Sequence, residues 1–434
     1  MIAEWLEFFA RWESHRFFHC LASPDLRRIK EDLAKRHDTG REISLYIHIP
    51  FCQELCPYCS FVRYKYRESQ ALTYMESLRK ELDLYLDLIQ DTGIRVPSVY
   101  FGGGTPTLLT YPSLMEMIHY LHDRLGVKEI SIETNPNDLN LQKIKDLARN
   151  GVTRLSIGVQ SFSDEILHVL GRLAHHDSQS AREAVALARG NFETVNVDMI
   201  WDLPQQEMPH LEKDIRTIFE LDVDQVTFYP LVPSPNKKTL MERQFNRINQ
   251  GLFRKSRRHK KTYEFIQNSL KERYVPSTVW CFSKHGVKAI DEYAIDYEEY
   301  IGLGCGSFGL INGRYHVNTF PVDNYTRLLN QGKLPIVRSK KLSDWELSNY
   351  RLMTRLFGVR IDKQRLHISE STPHEERAWS MAWRLTLLKK LGYLTEDKDS
   401  FYLTPRGMYQ VDLLMRQIFS GMNSLRELCL EGGI

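Results

Sequence analysis

The chain has 434 residues, 42% of them hydrophobic and 26% charged, and a formal net charge of +3. That length calls for two or three domains, the composition is ordinary for a water-soluble globular protein, and so small a charge gives no ground for nucleic-acid binding. No run of about eighteen apolar residues occurs, so no membrane-spanning helix is expected, and an N-terminus with acidic residues and no basic stretch argues against a secretory signal.

Within residues 1–41, Ile2, Trp5, Leu6, Phe9 and Trp12 recur at helical spacing. The stripe predicts a helical extension packed on the protein body; the other reading is a helix covering a functional site or resting on a membrane. Over 42–235, strand-like runs at 43–49, 98–101, 129–133, 154–158, 194–200 and 225–231 alternate with helical patterns at 69–89, 113–125, 141–148, 178–188 and 208–221. Such alternation predicts an α/β fold with a parallel sheet and right-handed crossovers. Six units make a partial (β/α)6, TIM-like barrel, open rather than closed at eight. Its strand ends, at Cys52, Gly102, Glu133, Gly158, Asp198 and Tyr229, should then gather on one rim.

Residues 236–335 read as an insertion followed by a return to the core. The insertion carries a basic run, Arg254, Lys255, Arg257, Arg258, His259, Lys260 and Lys261. It reads first as a solvated helix face, with anionic lipid headgroups or an acidic substrate as the sharper alternative. The return is marked by Ile301-Gly-Leu-Gly-Cys-Gly-Ser-Phe-Gly309. Residues 336–434 predict a small helical, winged-helix-like domain, with hairpin segments at 391–394 and 401–407. It has no basic recognition helix, so a lid or interaction role is expected.

The chemistry centres on Tyr46-Ile-His-Ile-Pro-Phe-Cys-Gln-Glu-Leu-Cys-Pro-Tyr-Cys-Ser-Phe61, which places Cys52, Cys56 and Cys59 on a loop leaving the first strand. A structural zinc site, with His48 as fourth ligand, would ordinarily pair two cysteines with a second pair elsewhere. No second pair exists among the seven cysteines. Three cysteines suit a cube-type iron–sulfur cluster that keeps one iron open for a substrate or cofactor. Gly102-Gly-Gly-Thr-Pro-Thr107 follows the second strand, where glycines let backbone amides approach a ligand. Glu133, ending the third strand, would stand beside that loop.

These residues resemble the radical S-adenosylmethionine (SAM) superfamily, and within it the branch of the oxygen-independent coproporphyrinogen III oxidase. The resemblance covers about residues 42–320. It implies a [4Fe–4S] cluster on Cys52, Cys56 and Cys59, whose open iron is chelated by SAM, and one-electron cleavage of SAM to a deoxyadenosyl radical. It implies an electron donor such as flavodoxin or ferredoxin, and the oxygen-sensitive cluster with unpaired cysteines implies a cytoplasmic setting. By correspondence, Gly103, Gly104 and Thr105 hold the methionine end of SAM. Glu133 accepts from its amino group or a ribose hydroxyl, Gln160, Arg172 and Asp198 contact it, and Tyr46 and Tyr58 lie at the adenosine and the cluster. Pro230 and Phe308 would contact a second SAM.

Within the branch, the oxidase carries a further cysteine two positions after the third cluster cysteine; this chain has Phe61 there. Heme-chaperone relatives match Cys-Pro-Tyr-Cys but carry a His-Asn-x-x-Tyr-Trp stretch where this chain reads Asp291-Glu-Tyr-Ala-Ile-Asp-Tyr-Glu-Glu-Tyr300; His285 and His316 could ligate heme iron here. By exclusion, the leading expectation is a methyltransferase using two SAM molecules on a flat ring carbon, with menaquinone (C8 of its naphthoquinone) as substrate and peripheral contact with a membrane. The alternatives are a coproporphyrinogen oxidase, an anaerobic heme-degrading enzyme, or a heme chaperone. Methyl transfer would need a general base, with Tyr229, Asp198 and His48 as candidates.

Overall fold

The computed structural model describes residues 17–18, 21–22, 24, 26–34, 41–109, 111–203, 205–232, 252–287, 297–364 and 381–433. The N-terminal aromatic stripe, the first part of the insertion, the side chains of Arg254 and Lys255 and most of the 291–300 segment lie outside them.

Six strands run parallel and in sequence order: β1 (Arg41–Ile49), β2 (Ile94–Gly103), β3 (Glu129–Thr134), β4 (Arg154–Gln160), β5 (Thr194–Trp201) and β6 (Gln225–Pro230). β1 and β6 do not pair, so the barrel stays open, as the sequence predicts. The sheet is wider than expected. Beyond β6 lie β7 (Tyr274–Pro276) and β8 (Cys281–Lys284), with β8 antiparallel to β6. On the other flank β9 (Tyr300–Leu303) runs parallel to β1, and β10 (Phe308–Ile311), β11 (Arg314–Asn318) and β12 (Ile336–Lys341) follow antiparallel. Together they make one sheet of 12 strands. The glycine-rich 301–309 stretch is thus the turn that carries β9 into β10.

Strand alternation decides what faces the barrel interior. Leu155 and Ile157 on β4, Val195 and Val197 on β5, and Val226 and Phe228 on β6 are buried in the apolar core shared with the helices. Each such side chain contributes about 2 kcal/mol through lost contact with water. The intervening residues are polar and bond across the strands. Arg154 Nε donates to Gln225 Oε1 at 2.9 Å, Asn196 Nδ2 to Ser156 Oγ at 2.8 Å, and Thr227 Oγ1 to Asn196 Oδ1 at 3.0 Å. The inside of the barrel is therefore a hydrogen-bonded polar ladder rather than a grease plug, and it rises to Asp198 and the rim.

The C-terminal helix Pro405–Glu431, whose N-cap Thr404 accepts from Gly407 N at 3.0 Å, is about 40 Å long at 1.5 Å per residue. Near its start Asp412 accepts from Trp280 beside β8; near its end Leu425 and Cys429 pack with Tyr300, Leu310 and Tyr315 on the β9–β11 flank. It bridges the two flanks of the open sheet. Ahead of it, Leu394–Glu396 and Ser400–Leu403 form an antiparallel hairpin, extended by Arg360–Asp362. In the basic run, Arg257, Lys260 and Lys261 are exposed, but His259 is buried and stacked on Trp201 at 4.5 Å. Among the described residues no helix is long and apolar enough to cross a membrane.

Candidate functional site

The cysteine loop is tied at both ends. Phe51–Cys52 pairs with Tyr64–Lys65, with Tyr64 N donating to Pro50 O at 2.6 Å and Tyr66 N to Cys52 O at 2.8 Å. Inside that clasp Cys59 N donates to Cys56 O at 3.2 Å and Arg63 Nη2 to the same carbonyl at 2.6 Å. The glycine turn packs onto the base of the loop: Gly104 N donates to Ile49 O at 2.8 Å and Thr105 N to Phe51 O at 2.7 Å. A Cβ on Gly104 would lie 2.5 Å from Phe51 O, and Gly103 has a φ of +110. The glycines are required first by this backbone-on-backbone contact.

Both loops open on a cavity of about 290 Å³ at the rim of the barrel, lined by Tyr46, Cys52, Cys56, Tyr58, Cys59, Gly103, Gly104, Thr105, Glu133, Gln160, Arg172, Asp198, Tyr229 and Pro230. The rim expected from sequence is the place where these residues meet. Tyr100 OH donates to Glu133 Oε1 at 2.8 Å, and Gly103 N to Glu133 Oε2 at 2.9 Å. Burial, followed by the nearby Asp198, pushes the Glu133 carboxyl up to about 7 despite those two bonds. Asp198 accepts from Ser156 Oγ and Asn196 Nδ2, both at 2.8 Å. Gln160 has a φ of 74 where β4 and β5 lose register, a left-handed conformation rare outside glycine.

Arg172 reaches the cluster loop from the turn after the short helix Asp164–Val169 that follows β4. Its Nη1 donates to Cys56 Sγ at 3.3 Å and its Nη2 to Asn135 Oδ1 at 2.7 Å and to Gly158 O. Its Nε is buried with no hydrogen-bond partner among the described residues. Burial works to raise the Cys56 thiol, but His175, with Nε2 4.0 Å away, and Arg172 outweigh it and bring the thiol down to about 6. Burial, reinforced by Cys59, pushes Cys52 up to about 12, and burial raises Cys59. Cationic compensation thus reaches Cys56 chiefly. Three thiolates at once need positive charge among them, which a bound iron cluster supplies.

Among the described residues no three His, Cys, Asp or Glu side chains stand where they could share one metal ion. A single zinc would draw its thiolates to about 2.3 Å, whereas a four-iron cluster gives each thiolate its own iron. Three free cysteines on one loop, each able to take its own iron, fit such a cluster. The orphaned Arg172 Nε and the proton-hungry Glu133 fit the carboxylate and ammonium of an amino acid moiety.

One expectation fails on geometry and another gains no support. Phe308 is not among the cavity-lining residues; it stands in an aromatic cluster with Phe18, Tyr315 and Phe320 on the β10 flank, against Gly302, the register partner of Tyr46. His48 is only 3% exposed and locked as the neutral ring: Tyr46 OH donates to Nδ1 at 3.0 Å and Nε2 donates to Val62 O at 3.0 Å. Burial depresses it to about 4. It is a strut under the glycine turn, its ring 2.4 Å from where a Gly103 Cβ would stand, and no general base. His316 is likewise buried, beside Tyr85, while His285 is exposed at a turn. The lining also includes Asn135, Trp280 and Phe419, which sequence reasoning passed over. Asn135 was findable, since it adjoins Glu133 in Glu-Thr-Asn-Pro and holds both Arg172 and, at 2.7 Å, Thr105 Oγ1. Trp280 and Phe419 carry no motif.

The profile of the family described as "Radical SAM superfamily" matches residues 46–218. Heme chaperone HemW of Bacillus subtilis is 32% identical over 304 residues, 67% of this chain and 77% of the chaperone. HemW of Escherichia coli is 31% identical, over 62% of this chain and 70% of its own length. The oxygen-independent coproporphyrinogen III oxidase of Bradyrhizobium diazoefficiens is 26% identical over 70% of both chains. The solved coproporphyrinogen III oxidase of Escherichia coli, a radical SAM enzyme, superposes with a TM-score of 0.74 over 92% of this chain and 94% of that one, at 21% identity, a likeness of fold. These relatives overturn the expectation of a menaquinone C8-methyltransferase. That reading rested on exclusion, with Phe61 and the 291–300 segment set against the tetrapyrrole proteins, and the relatedness across the catalytic barrel outweighs both departures.

Proposed function

We infer the function of this chain from its membership: it belongs to the radical SAM superfamily, in the branch that holds the heme chaperone HemW and the coproporphyrinogen III oxidase. Members of that superfamily carry a [4Fe–4S] cluster and SAM. In this chain Cys52, Cys56 and Cys59 hold the cluster, and the cavity beside them takes SAM. When bound, the pair supplies one-electron chemistry at the SAM sulfur.

The chain's own residues bind, orient and insulate. Glu133, fixed by Tyr100 OH and Gly103 N, accepts from the amino group, and the free Arg172 Nε faces the carboxylate. Thr105, bonded to Asn135, and Gly103 and Gly104 shape the methionine end. Asp198, held from below by Ser156 and Asn196, accepts from the ribose hydroxyls. Tyr46 and Tyr58 flank the adenosine and the cluster, and Tyr58, half-buried against Ile166, Leu170, Leu203 and Leu231, keeps water from the thiolates.

The substrate class is a tetrapyrrole, and the reading that fits best is a heme-handling protein of the chaperone type. The observation that carries it is the 32% identity to a heme chaperone over 67% of this chain. Phe61, 55% exposed on the cavity where the oxidase branch has cysteine, supports the chaperone over the oxidase. His285 is exposed beyond the far end of β8, beside the start of β6 and away from the cavity, and His316 is packed inside the sheet, so neither is the ligand for a tetrapyrrole held at the cavity. The test is anaerobic titration of the reconstituted protein with hemin, alongside incubation with SAM, reductant and coproporphyrinogen III. Stoichiometric heme binding without conversion of coproporphyrinogen is expected. Loss of carbon dioxide from coproporphyrinogen would replace this reading with the oxidase, and failure to engage either compound would end the tetrapyrrole assignment.

A further inference from the structure

The polar residues of the cavity come from the barrel strands and the cysteine loop. Its remaining wall is aromatic and comes from elsewhere: Tyr229 at the end of β6, Trp280 just before β8, and Phe419 from the C-terminal helix. The three rings are contiguous. Tyr229 and Trp280 stand 5.8 Å apart, edge to face, and Trp280 and Phe419 5.5 Å apart.

The helix is fixed to deliver Phe419 there. Asp412, Arg416 and Phe419 are spaced i, i+4, i+7 and so share one helix face. Asp412, fully buried, accepts from Trp280 Nε1 at 2.8 Å and stands 3.4 Å from His259 Nε2. One turn on, Arg416 donates to Asp202 Oδ2 at 3.0 Å and to Leu231 O at 3.2 Å, gripping the loop that follows β5 and the chain that leaves β6. The next turn carries Phe419. Buried carboxylate and guanidinium groups with these partners lock the register of the helix against the rim, because sliding by one residue would strand both charges.

We propose that the half-buried rings of Tyr229 and Phe419, held apart and in place by the buried Trp280 between them, are the subsite against which a tetrapyrrole packs, so that the C-terminal helix takes part in substrate recognition as well as bridging the sheet. Aromatic rings attract a planar π-system beyond the area they bury, and this wall adjoins the cavity that holds the cysteines. The inference rests on the tetrapyrrole reading above and adds the residues that would read its shape.

The test uses the anaerobically reconstituted full-length protein and hemin as the probe, in wild type, Phe419→Ala and Phe419→Tyr, with thermal unfolding recorded for each. Phe419→Ala should weaken hemin binding at least tenfold, whereas Phe419→Tyr, which keeps the ring, should stay within threefold of wild type. Equal affinity in all three proteins would overturn the subsite. So would an equal loss in both variants with unchanged unfolding temperatures, because a ring would then not be what matters. A wild-type protein that fails to bind hemin would instead bring down the tetrapyrrole reading itself, and the two failures are told apart by that first titration.

Discussion

Arg172 is bonded to three different elements at once: the Cys56 thiol, the Asn135 side chain after β3 and the Gly158 carbonyl on β4. A lysine keeps the charge but reaches one or two of these acceptors, and each buried charged hydrogen bond that is lost costs about 1.5–3 kcal/mol. Arg172→Lys should therefore lower 5′-deoxyadenosine release at least tenfold, with iron content reduced, in reconstituted protein; full iron and full release would remove Arg172 from the site. Replacing Cys52, Cys56 or Cys59 by Ala should abolish that release entirely while leaving the barrel folded, as far-ultraviolet circular dichroism would report. At this scale the sequence was legible where strand alternation applies. Tyr46, Glu133, Asp198 and Tyr229 fall on inward positions at strand ends, and period two brings them together whatever the loops do. His48 lies on the same inward face and was misjudged for a reason of environment. Its two ring nitrogens are consumed by Tyr46 and Val62, and no motif reveals that a histidine's partners are already assigned. Phe308 shows that correspondence to a family pattern does not by itself reveal a ring's packing, here in the Phe18–Tyr315–Phe320 cluster.

The glycine turn and the cysteine loop behave as one element. Ile49 O and Phe51 O, which accept from Gly104 N and Thr105 N, are also the atoms that a side chain at 104 would strike. Gly104→Ala must push the turn off the base of the loop, since backbone cannot yield as a flexible side chain can. Such overpacking costs about 1–3 kcal/mol, and iron loading should fall with it. Gly126, at the end of the helix Tyr111–Leu125, offers the comparison: its φ is +61 but nothing lies within 4 Å of an added Cβ. Gly126→Ala should cost about 1–2 kcal/mol from backbone conformation alone and leave iron content untouched. Urea unfolding together with iron analysis separates the two; normal iron loading in Gly104→Ala would show that the turn is held by ligand rather than by the loop. The six parallel strands could be read from sequence because each is a run of six to ten residues set between helical patterns. β7 to β12 could not, because they are three to six residues long and their pairing is set by contacts distant in sequence, such as Tyr46 opposite Gly302. The aromatic wall is hidden for the same reason, since only the folded chain brings Trp280 and Phe419 together.

Across the whole molecule, buried ionisable groups of opposite tendency are set into both flanks. Glu81, fully buried, accepts from Gly304 N at 2.7 Å, Asn318 Nδ2 at 2.6 Å and Tyr325 OH at 2.5 Å, tying the helix Glu68–Ile89 to the β9–β10 turn. Asp214 does the same beneath β4, accepting from Phe162 N at 2.6 Å and Ser161 Oγ at 3.0 Å. Burial pushes both carboxyls, like that of Glu133, up to about 7. Burial drives His48, His176 and His316 the other way, down to about 4. The linkage signs are opposite. A carboxyl whose folded value is raised stabilises the fold below its ordinary value near 4 and loses that contribution as pH climbs to 7. A histidine whose folded value is lowered contributes above its ordinary value near 6.5 and loses that contribution as pH falls to 4. Between pH 5 and 6.5 three groups of each kind oppose one another at about 1.4 kcal/mol per pH unit each, so wild-type stability should be nearly flat there. Glu81→Gln and Asp214→Asn together remove two of the falling contributions and leave the three histidines in place. The double variant should gain stability as pH rises over that window, by about 4 kcal/mol relative to wild type, against an overall loss from the imperfect amide replacements. Urea unfolding under anaerobic conditions at pH 5, 5.5, 6 and 6.5 measures the difference. Parallel curves for the two proteins would mean that these carboxyls do not hold protons in the folded chain, and that cationic neighbours, rather than neutral hydrogen bonding, let them be buried.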